Sequence, residues 1–567
     1  MKPAKLLGLV LVGVGACTEQ VSNPNNQAPQ QNGEQAETDL AVARDRITGQ
    51  PVLVSSYRWT GPAPIDLGPN DIDYGSGPAN NLSQAVTFHR GASLGGFAFS
   101  ADGGRSWNAP GKVRPPAQQF PILWGDARLA VDRLHPYRVA MTNLAVSDQA
   151  YRSAQGYDAS TDSLHRWPTG LSEFTQPPQC NVIPGQQECD IVDSVCVSLS
   201  SNAGRTFQTP ACHQERRCSQ NGASCLSDAE CSATGETCTP RSLDQPTVAF
   251  DENGLAVAAF WENDERAGTT AHDKLLLYRL TPAGQFIVWV PLAIDDVMTS
   301  HYFPKVRADR LGRIWLAAPT NRGTTAGIQL CRLDPGSDTC TFVQEVTFGI
   351  DTVNAQPNLR VPNVPNVPLF TVRTGQALDF AVNVVGANNA TEMRFVYHSG
   401  TSPLAIHVLQ CTLDDANPVP TCSEHPEWST DGLGQDAAQP TISMVDRSPA
   451  GDGTNVTWDY AFITGPNANV PSPNPPYAVA FNRAMVPNGG AVRLNDELPP
   501  DICVAHYPVA FYWGDFIGFA GFRDPRTGQF AHIATWSSDN LRGCNPTNLW
   551  QGSNLHIAAS SWTDLTQ

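Results

Sequence analysis

Short runs in which apolar and polar residues alternate, broken by an aspartate-bearing turn and resumed beyond it, recur along this chain. In PTVAFDENGLAVAAFWE the first run stops at Asp251, Gly254 completes an Asp-x-x-Gly turn, and a second run follows, which is the signature of a β-hairpin. The same unit returns in AVARDRITGQPVLVSSY around Asp45, RLAVDRLHPYRVAMTNL around Asp132, KVRADRLGRIWLAAP around Asp309 and GFAGFRDPRTGQFAHIATW around Asp524. Looser copies surround Asn383 and Asp446. Between the units lie further strand pairs, such as AVTFHR with GGFAFS, KLLLYRL with QFIVWVPLA, and GIQLCRL with CTFVQEV. Four short antiparallel strands per repeat predict an all-β fold, a β-propeller, in which radial repetition protects the sheet edges. Seven blades are expected; six is the alternative, in which the N-terminal hairpin completes the last blade. A row of β-sandwiches would alternate in the same way without repeating one aspartate turn.

Composition narrows the function classes. Over 567 residues, 36 Lys and Arg stand against 54 Asp and Glu, a formal net charge of −18, so the basic footprint of a nucleic-acid binder is missing. Charged residues make up only 16%, while Gly and Pro number 46 each, a balance that suits short strands and many turns over helical bundles.

The N-terminus specifies a compartment. Lys2 and Lys5 precede the apolar stretch Leu6 to Ala16, which fits an export signal and falls short of the ~20 apolar residues that span a bilayer. Val14-Gly15-Ala16-Cys17 resembles the lipobox of bacterial lipoproteins, which implies that Cys17 is lipidated and becomes the mature N-terminus. Residues 18–37, rich in Asn, Gln and Pro, bury too little to offset the entropy of ordering and read as a disordered tether. The expected organisation is a signal over 1–16, lipidated Cys17 and tether over 17–37, and a propeller over 38–567 with a cysteine-rich insertion at 213–240.

Cysteine arithmetic agrees with export. The chain holds 15 cysteines, and setting Cys17 aside leaves an even number. Cys331 with Cys340 and Cys411 with Cys422 flank turns between third and fourth strands, and Cys196 with Cys212 brackets the corresponding place. Cys180 with Cys189 would close a local loop, and Cys503 with Cys544 would bridge the last blade. Cys218, Cys225, Cys231 and Cys238 lack the C-x₂-C spacing and the histidine of a zinc site, so two disulfides are expected there, with three connectivities open. No metal or cofactor is expected, because the Asp-rich turns do not supply the six or more oxygens of a Ca²⁺ site.

Two turns carry a family resemblance. Ser100, Asp102, Gly104 and Trp107 follow the pattern S-x-D-x-G-x-x-W, and Ser200, Asn202, Gly204 and Phe207 repeat it with Asn and Phe substituted. They resemble the Asp-boxes of sialidase-like (BNR-repeat) propellers, hairpin turns that join the outer strands of a blade and serve structure. That resemblance implies a sialidase chemistry of three arginines on a substrate carboxylate, a Tyr–Glu nucleophile pair and an Asp acid/base. The Arg-Ile-Pro segment of that family is missing; Arg58, in Ser56-Tyr57-Arg58-Trp59, is the nearest arginine. Glu262, Asp264 and Arg266, then Arg322, then Asp539 and Arg542 recur at the ends of second strands, where corresponding loops converge on one face; they are the candidate pocket residues. Gly91-Ala92-Ser93-Leu94-Gly95 matches a nucleophile elbow in spelling, but strand-like runs stand on both sides where the elbow needs a following helix. The expectation is a monomeric, membrane-anchored binding or scaffold module of the bacterial cell envelope, facing the periplasm or the exterior, with a glycan or protein ligand and no nucleic acid. An exo-acting glycoside hydrolase of sialidase type is the alternative.

Overall fold

A computed structural model of the chain describes residues 18–20, 35–59, 86–166, 192–263, 274–294, 304–348, 358–361, 370–373, 378–424, 437–464, 480–485, 492–493, 511–512, 517–538 and 556–563, short internal breaks aside. Cys17, Cys180, Cys189, Cys503 and Cys544 lie outside these residues.

The alternating runs form antiparallel sheets of a β-propeller. Among the described residues five are four-stranded. The Asp45 sheet orders Gln35–Arg44, Pro51–Trp59, Gly95–Ser100 and Gly111–Lys112 from inside to outside. The Asp251 sheet runs Ser242–Phe250, Ala256–Asn263, Lys274–Ala283 and Phe286–Pro291. The Asn383 sheet runs Leu378–Val385, Ala390–Ser399, Ala405–Asp414 and Asn417–Glu424, and the Asp446 sheet Ala437–Asp446, Val456–Thr464, Ala480–Met485 and Val492–Arg493. The Asp524 sheet runs Gly518–Arg523, Phe530–Ser538 and His556–Thr563, and takes its fourth strand, Thr18–Gln20, from the opposite end of the chain. Two five-stranded sheets carry the remaining turns. In the Asp132 sheet Val139–Val146 pairs with both Leu129–Val131 and Ile122–Gly125, followed by Ser194–Ser200 and Ala211–Gln214. In the Asp309 sheet Lys305–Ala308, Ile314–Arg322, Thr325–Leu333 and Thr339–Phe348 are joined by Ala293–Ile294, parallel to the last. The innermost strands of these sheets touch one another in chain order, and Gly518–Arg523 returns to Gln35–Arg44, closing a ring.

Aspartate chemistry explains the repeated turns. Asp45, Asp132, Asp251, Asp309, Asp446 and Asp524 each accept, through Oδ1, the backbone N–H two residues on, at 2.8–2.9 Å. This Asx turn substitutes a side-chain acceptor for the missing ladder bond as the chain reverses. Asn383 differs from the expectation: it sits within the strand Leu378–Val385, and its amide donates to Gly453 O of the next sheet at 2.9 Å. The turn itself falls after Val385, so the asparagine joins two sheets and does not shape a hairpin.

The turns after the third strands are built alike. In the first, Asp102 Oδ1 accepts from Arg105 and Ser106 N–H at 3.1 and 2.9 Å, and Gly104 N–H donates to Ser100 Oγ at 2.9 Å. In the second, Asn202 Oδ1 accepts from Thr206 N–H at 3.0 Å and Gly204 N–H donates to Ser200 Oγ at 2.9 Å. Trp107 packs with Leu53, Tyr57 and Ile533. Phe207 meets Phe97 edge-on, ring centroids 4.9 Å apart.

Cys196–Cys212, Cys331–Cys340 and Cys411–Cys422 are disulfides joining third to fourth strands. In the insertion Cys218 pairs with Cys231 and Cys225 with Cys238, beside a small ladder of Arg216–Cys218 and Cys238–Pro240. The tether needs a correction. Thr18–Gln20 pairs antiparallel with Ala558–Ser560, and Gln35 already belongs to the first strand of the Asp45 sheet. Ladder bonds use the backbone, so a segment poor in apolar side chains still adds to a waiting edge.

Candidate functional site

Antiparallel order gives the ring two unlike faces. The Asx turns occupy one. On the other, the innermost strands begin and the second strands end, and long connections depart after Trp59, Val146, Thr464 and Ser538. Loops carry sites on a rigid scaffold, so the second face is the candidate functional face.

Charged side chains interrupt the innermost strands near that face. Asp39 Oδ2 accepts Leu129 N–H of the neighbouring sheet at 2.9 Å, while Oδ1 accepts its own neighbour Leu40 N–H at 2.9 Å. Arg128 Nη1 lies 4.0 Å from Asp39 Oδ1. On the far side of the ring, Arg307 Nη2 stands 2.7 Å from Asp379 Oδ1, and its Nε donates to Phe380 O at 3.2 Å. Asp379 Oδ2 accepts from Thr441 Oγ1 and Ile442 N–H at 2.8 and 3.2 Å. Lys305 is buried among them, 2% exposed. Burial drives its ammonium well below the usual lysine range, with Arg128 and Arg307 adding to the effect and Asp379 and Asp39 opposing it. Asp39 lies on the innermost strand of the Asp45 sheet and Arg128 immediately before that of the Asp132 sheet, whereas Lys305, Arg307 and Asp379 belong to the innermost strands of the Asp309 and Asn383 sheets. All five stand on or beside innermost strands, which surround the axis of the ring.

For Asp379 burial alone would raise the carboxyl. Arg307, Lys305 and the hydrogen bonds from Thr441 and Ile442 outweigh it and hold the group below the ordinary aspartate value. Its Oδ1 is taken up by Arg307 and Phe380 N–H and its Oδ2 by the next sheet, as Asp39 Oδ2 is by Leu129.

Of the candidate pocket residues, Glu262 has a described side chain, fully buried. Its partner is Arg217 of the insertion, Nη2 to Oε2 2.8 Å, with Arg241 Nε at 3.8 Å. Arg217 also meets Glu215 at 3.0 Å and donates to Ser224 Oγ at 2.5 Å. Glu215 in turn accepts from Tyr278 OH at 2.7 Å and lies 3.1 Å from His213 Nε2. Burial, then the Glu215 charge, push the Tyr278 phenol far above its ordinary value. This network docks the cysteine-rich insertion onto the Asp251 sheet. The expected neighbour Arg266, with Asp264, Asp539 and Arg542, lies outside the described residues. Arg58 and Arg322 are placed by backbone, opposite Gly95 and Thr325, and their side chains are likewise outside.

Sequence reasoning missed Asp39, Arg128, Lys305, Arg307 and Asp379. The available signal was a charge at the head of an apolar run, as in TDLAV, KVRADR and LDFAV. Ser93 Oγ accepts from Gly95 N–H at 3.1 Å at the start of the strand Gly95–Ser100, a structural turn with no helix after it. Sulfur atoms of Cys218, Cys225 and Cys231 lie within 4.8 Å of one another, but each is spent in a disulfide and offers no thiolate.

No family model matches the chain, and no curated protein matches it. Solved structures do. A protein of unknown function from Dyadobacter fermentans is 11% identical with TM-score 0.35, covering 84% of this chain and 96% of its own. A Trypanosoma rangeli sialidase in complex with the inhibitor DANA is 10% identical with TM-score 0.36, covering 82% and 60%. A Penicillium chrysogenum α-L-arabinanase complexed with arabinobiose is 11% identical with TM-score 0.30, covering 57% and 93%. At these values the likeness concerns the fold and carries nothing about activity.

Proposed function

We propose that this chain is a lipid-anchored β-propeller of the bacterial cell envelope that acts as a binding or scaffold module, with a glycan or protein held at the long-connection face. Seven blades are proposed, the Asp132 and Asp309 sheets counting with the five four-stranded ones; the closed succession of innermost strands supports that number. The turns Ser100–Trp107 and Ser200–Phe207 are read as Asp-boxes with a structural role.

The observation that carries the binding reading is the commitment of the axial carboxylates. Asp39 and Asp379 accept backbone N–H groups of adjacent sheets, and Asp379 is held ionised, whereas a general acid must keep its proton near neutrality. The exo-glycosidase reading draws on Tyr278 and Glu215, a Tyr–Glu pair 2.7 Å apart. Burial raises that phenol, the opposite of what a nucleophile needs, and Glu215 is already engaged by Arg217 and His213.

Envelope anchoring is tested by labelling cells with a palmitate analogue. Wild type takes up label and is processed in a globomycin-sensitive manner, and both signals vanish in Cys17→Ser. Persistent labelling of Cys17→Ser contradicts the anchor. Ligand class is tested on arrays of envelope glycans and proteins with the full chain.

A further inference from the structure

The outermost strand of the Asp251 sheet, Phe286–Pro291, is unlike the other outer strands. Among the described residues it pairs on one side only, Phe286 with Ala283 through Pro291 with Tyr278, and ends its sheet. Alternate side chains behave oppositely. Ile287 and Trp289 pack inward with residues such as Val197 and Leu144 of the Asp132 sheet. Phe286, Val288 and Val290 are 77%, 47% and 38% exposed, three of the five exposed large hydrophobic residues among the described ones. Proteins ordinarily blunt such an edge with charge, proline, extreme shortness or a cover. Other outer strands here do so. Gly111–Lys112 and Val492–Arg493 are two residues long, Asn417–Glu424 carries Pro418 and Pro420, Thr339–Phe348 is covered by Ala293–Ile294, and Ala211–Gln214 and Asn417–Glu424 are each tied back by a disulfide. Phe286–Pro291 has only its terminal proline.

We infer that this edge is a homodimer interface, in which Phe286–Val290 pairs antiparallel with the same strand of a second copy about a two-fold axis at Val288. The register follows from the alternation. Centring on Val288 sets Phe286 opposite Val290 of the second copy and Val288 opposite itself, so every exposed apolar side chain meets another; a one-residue slip sets them against solvent. Charge favours the same occupant. Residues 282–294 contain no charged side chain in a chain of net charge −18, so two copies approach here without the repulsion that opposes contact elsewhere. Six apolar side chains bury less than the roughly 1,200 Å² of a standard interface, so the dimer is weak and reversible, with Kd of about 1–100 µM. This replaces the monomer expected from the sequence.

Sedimentation equilibrium of the full chain carrying Cys17→Ser, so that no lipid contributes, tests the inference independently of anchoring. The expected result is a monomer–dimer equilibrium that Val288→Lys weakens at least about tenfold, while Leu134→Lys, at an exposed leucine of the turn face, leaves it unchanged. Should Val288→Lys fail to fold by circular dichroism, Val288→Cys replaces it: a dimer linked through Val288→Cys is expected under mild oxidation, and none from Ile47→Cys. Hydrogen exchange at Phe286–Val290 is expected to slow as protein concentration rises. A monomer at all concentrations to about 100 µM, a Val288→Lys dimer of unchanged affinity, or exchange protection independent of concentration each overturns the inference.

Discussion

Arg205 Nη1 lies 2.6 Å from Asp45 Oδ2, linking the turn Ser200–Phe207 of one sheet to the Asx turn of the sheet before it. The relationship repeats one step back around the ring. Arg105 reaches Asp524, and Arg526 reaches Asp102, each at 3.7 Å, across the seam where the last sheet meets the first. Hydrogen bonds from Thr48 and Ile47, then Arg205, hold the Asp45 carboxyl well below its usual range. The glycines preceding Arg205 and Arg105 each pack against that preceding sheet. A Cβ on Gly204 would stand 2.4 Å from Val54 Cγ2, and one on Gly104 2.4 Å from Ile533 Cδ1. The aspartate-type turn thus serves as a gasket between neighbouring sheets.

That role makes glycine substitution position-dependent. Gly204→Ala and Gly104→Ala combine left-handed φ values of +75° and +89° with an overlap against branched side chains, and are expected to cost about 2–4 kcal/mol each. Gly49→Ala, at φ +68° with nothing within 4 Å of the new Cβ, is expected to cost only about 1 kcal/mol. Urea denaturation of the three variants checks the ordering.

The axial cluster is expected to act as one unit. Asp379→Asn removes the charge that faces half-buried Arg307 and buried Lys305 and weakens the acceptor for Thr441 and Ile442, leaving both cations with less compensation. The expected loss is about 3–5 kcal/mol. In a double-mutant cycle with Arg307→Met the two losses should not add, because the second substitution removes a cation that the first has already stranded.

His398 sets an acid limit on stability. The ring is 3% exposed, its Nδ1 makes no hydrogen bond, and burial lowers its pKa from 6.5 to about 4. The unfolded chain therefore binds this proton first as pH falls. His398 contributes fully above pH 6.5, and its contribution is lost progressively as pH drops through the folded value near 4. The span corresponds to about 3 kcal/mol. Denaturation midpoints of wild type and His398→Leu between pH 7 and 4 should converge by that amount, and parallel curves would contradict it.

What the sequence disclosed follows from local physics. An Asx turn is encoded within four residues, so Asp45, Asp132, Asp251, Asp309, Asp446 and Asp524 were readable, and the disulfides between adjacent strands followed from the hairpins around them. Glu262 was readable as a site for an ion pair, but its partner was not, because Arg217 comes from an insertion docked by tertiary contact. The axial charges were missed for a related reason. Register shifts at Ala36/Asp39, Asp244/Thr247 and Ala438/Thr441, with Gln245 and Gln439 at φ 54° and 50°, break the period of two where the innermost strands begin. Packing of neighbouring sheets then pairs residues such as Arg307 and Asp379 that no local pattern connects. The strand Thr18–Gln20 was hidden because ladder pairing through the backbone requires no apolar pattern.

The binding account is tested most directly by product release from a broad panel of sialosides and other glycans, with the full chain at high concentration. It predicts release at the background rate for wild type. Release well above background that Glu215→Gln or Tyr278→Phe abolishes, with the fold intact by circular dichroism, would contradict it and establish a glycoside hydrolase.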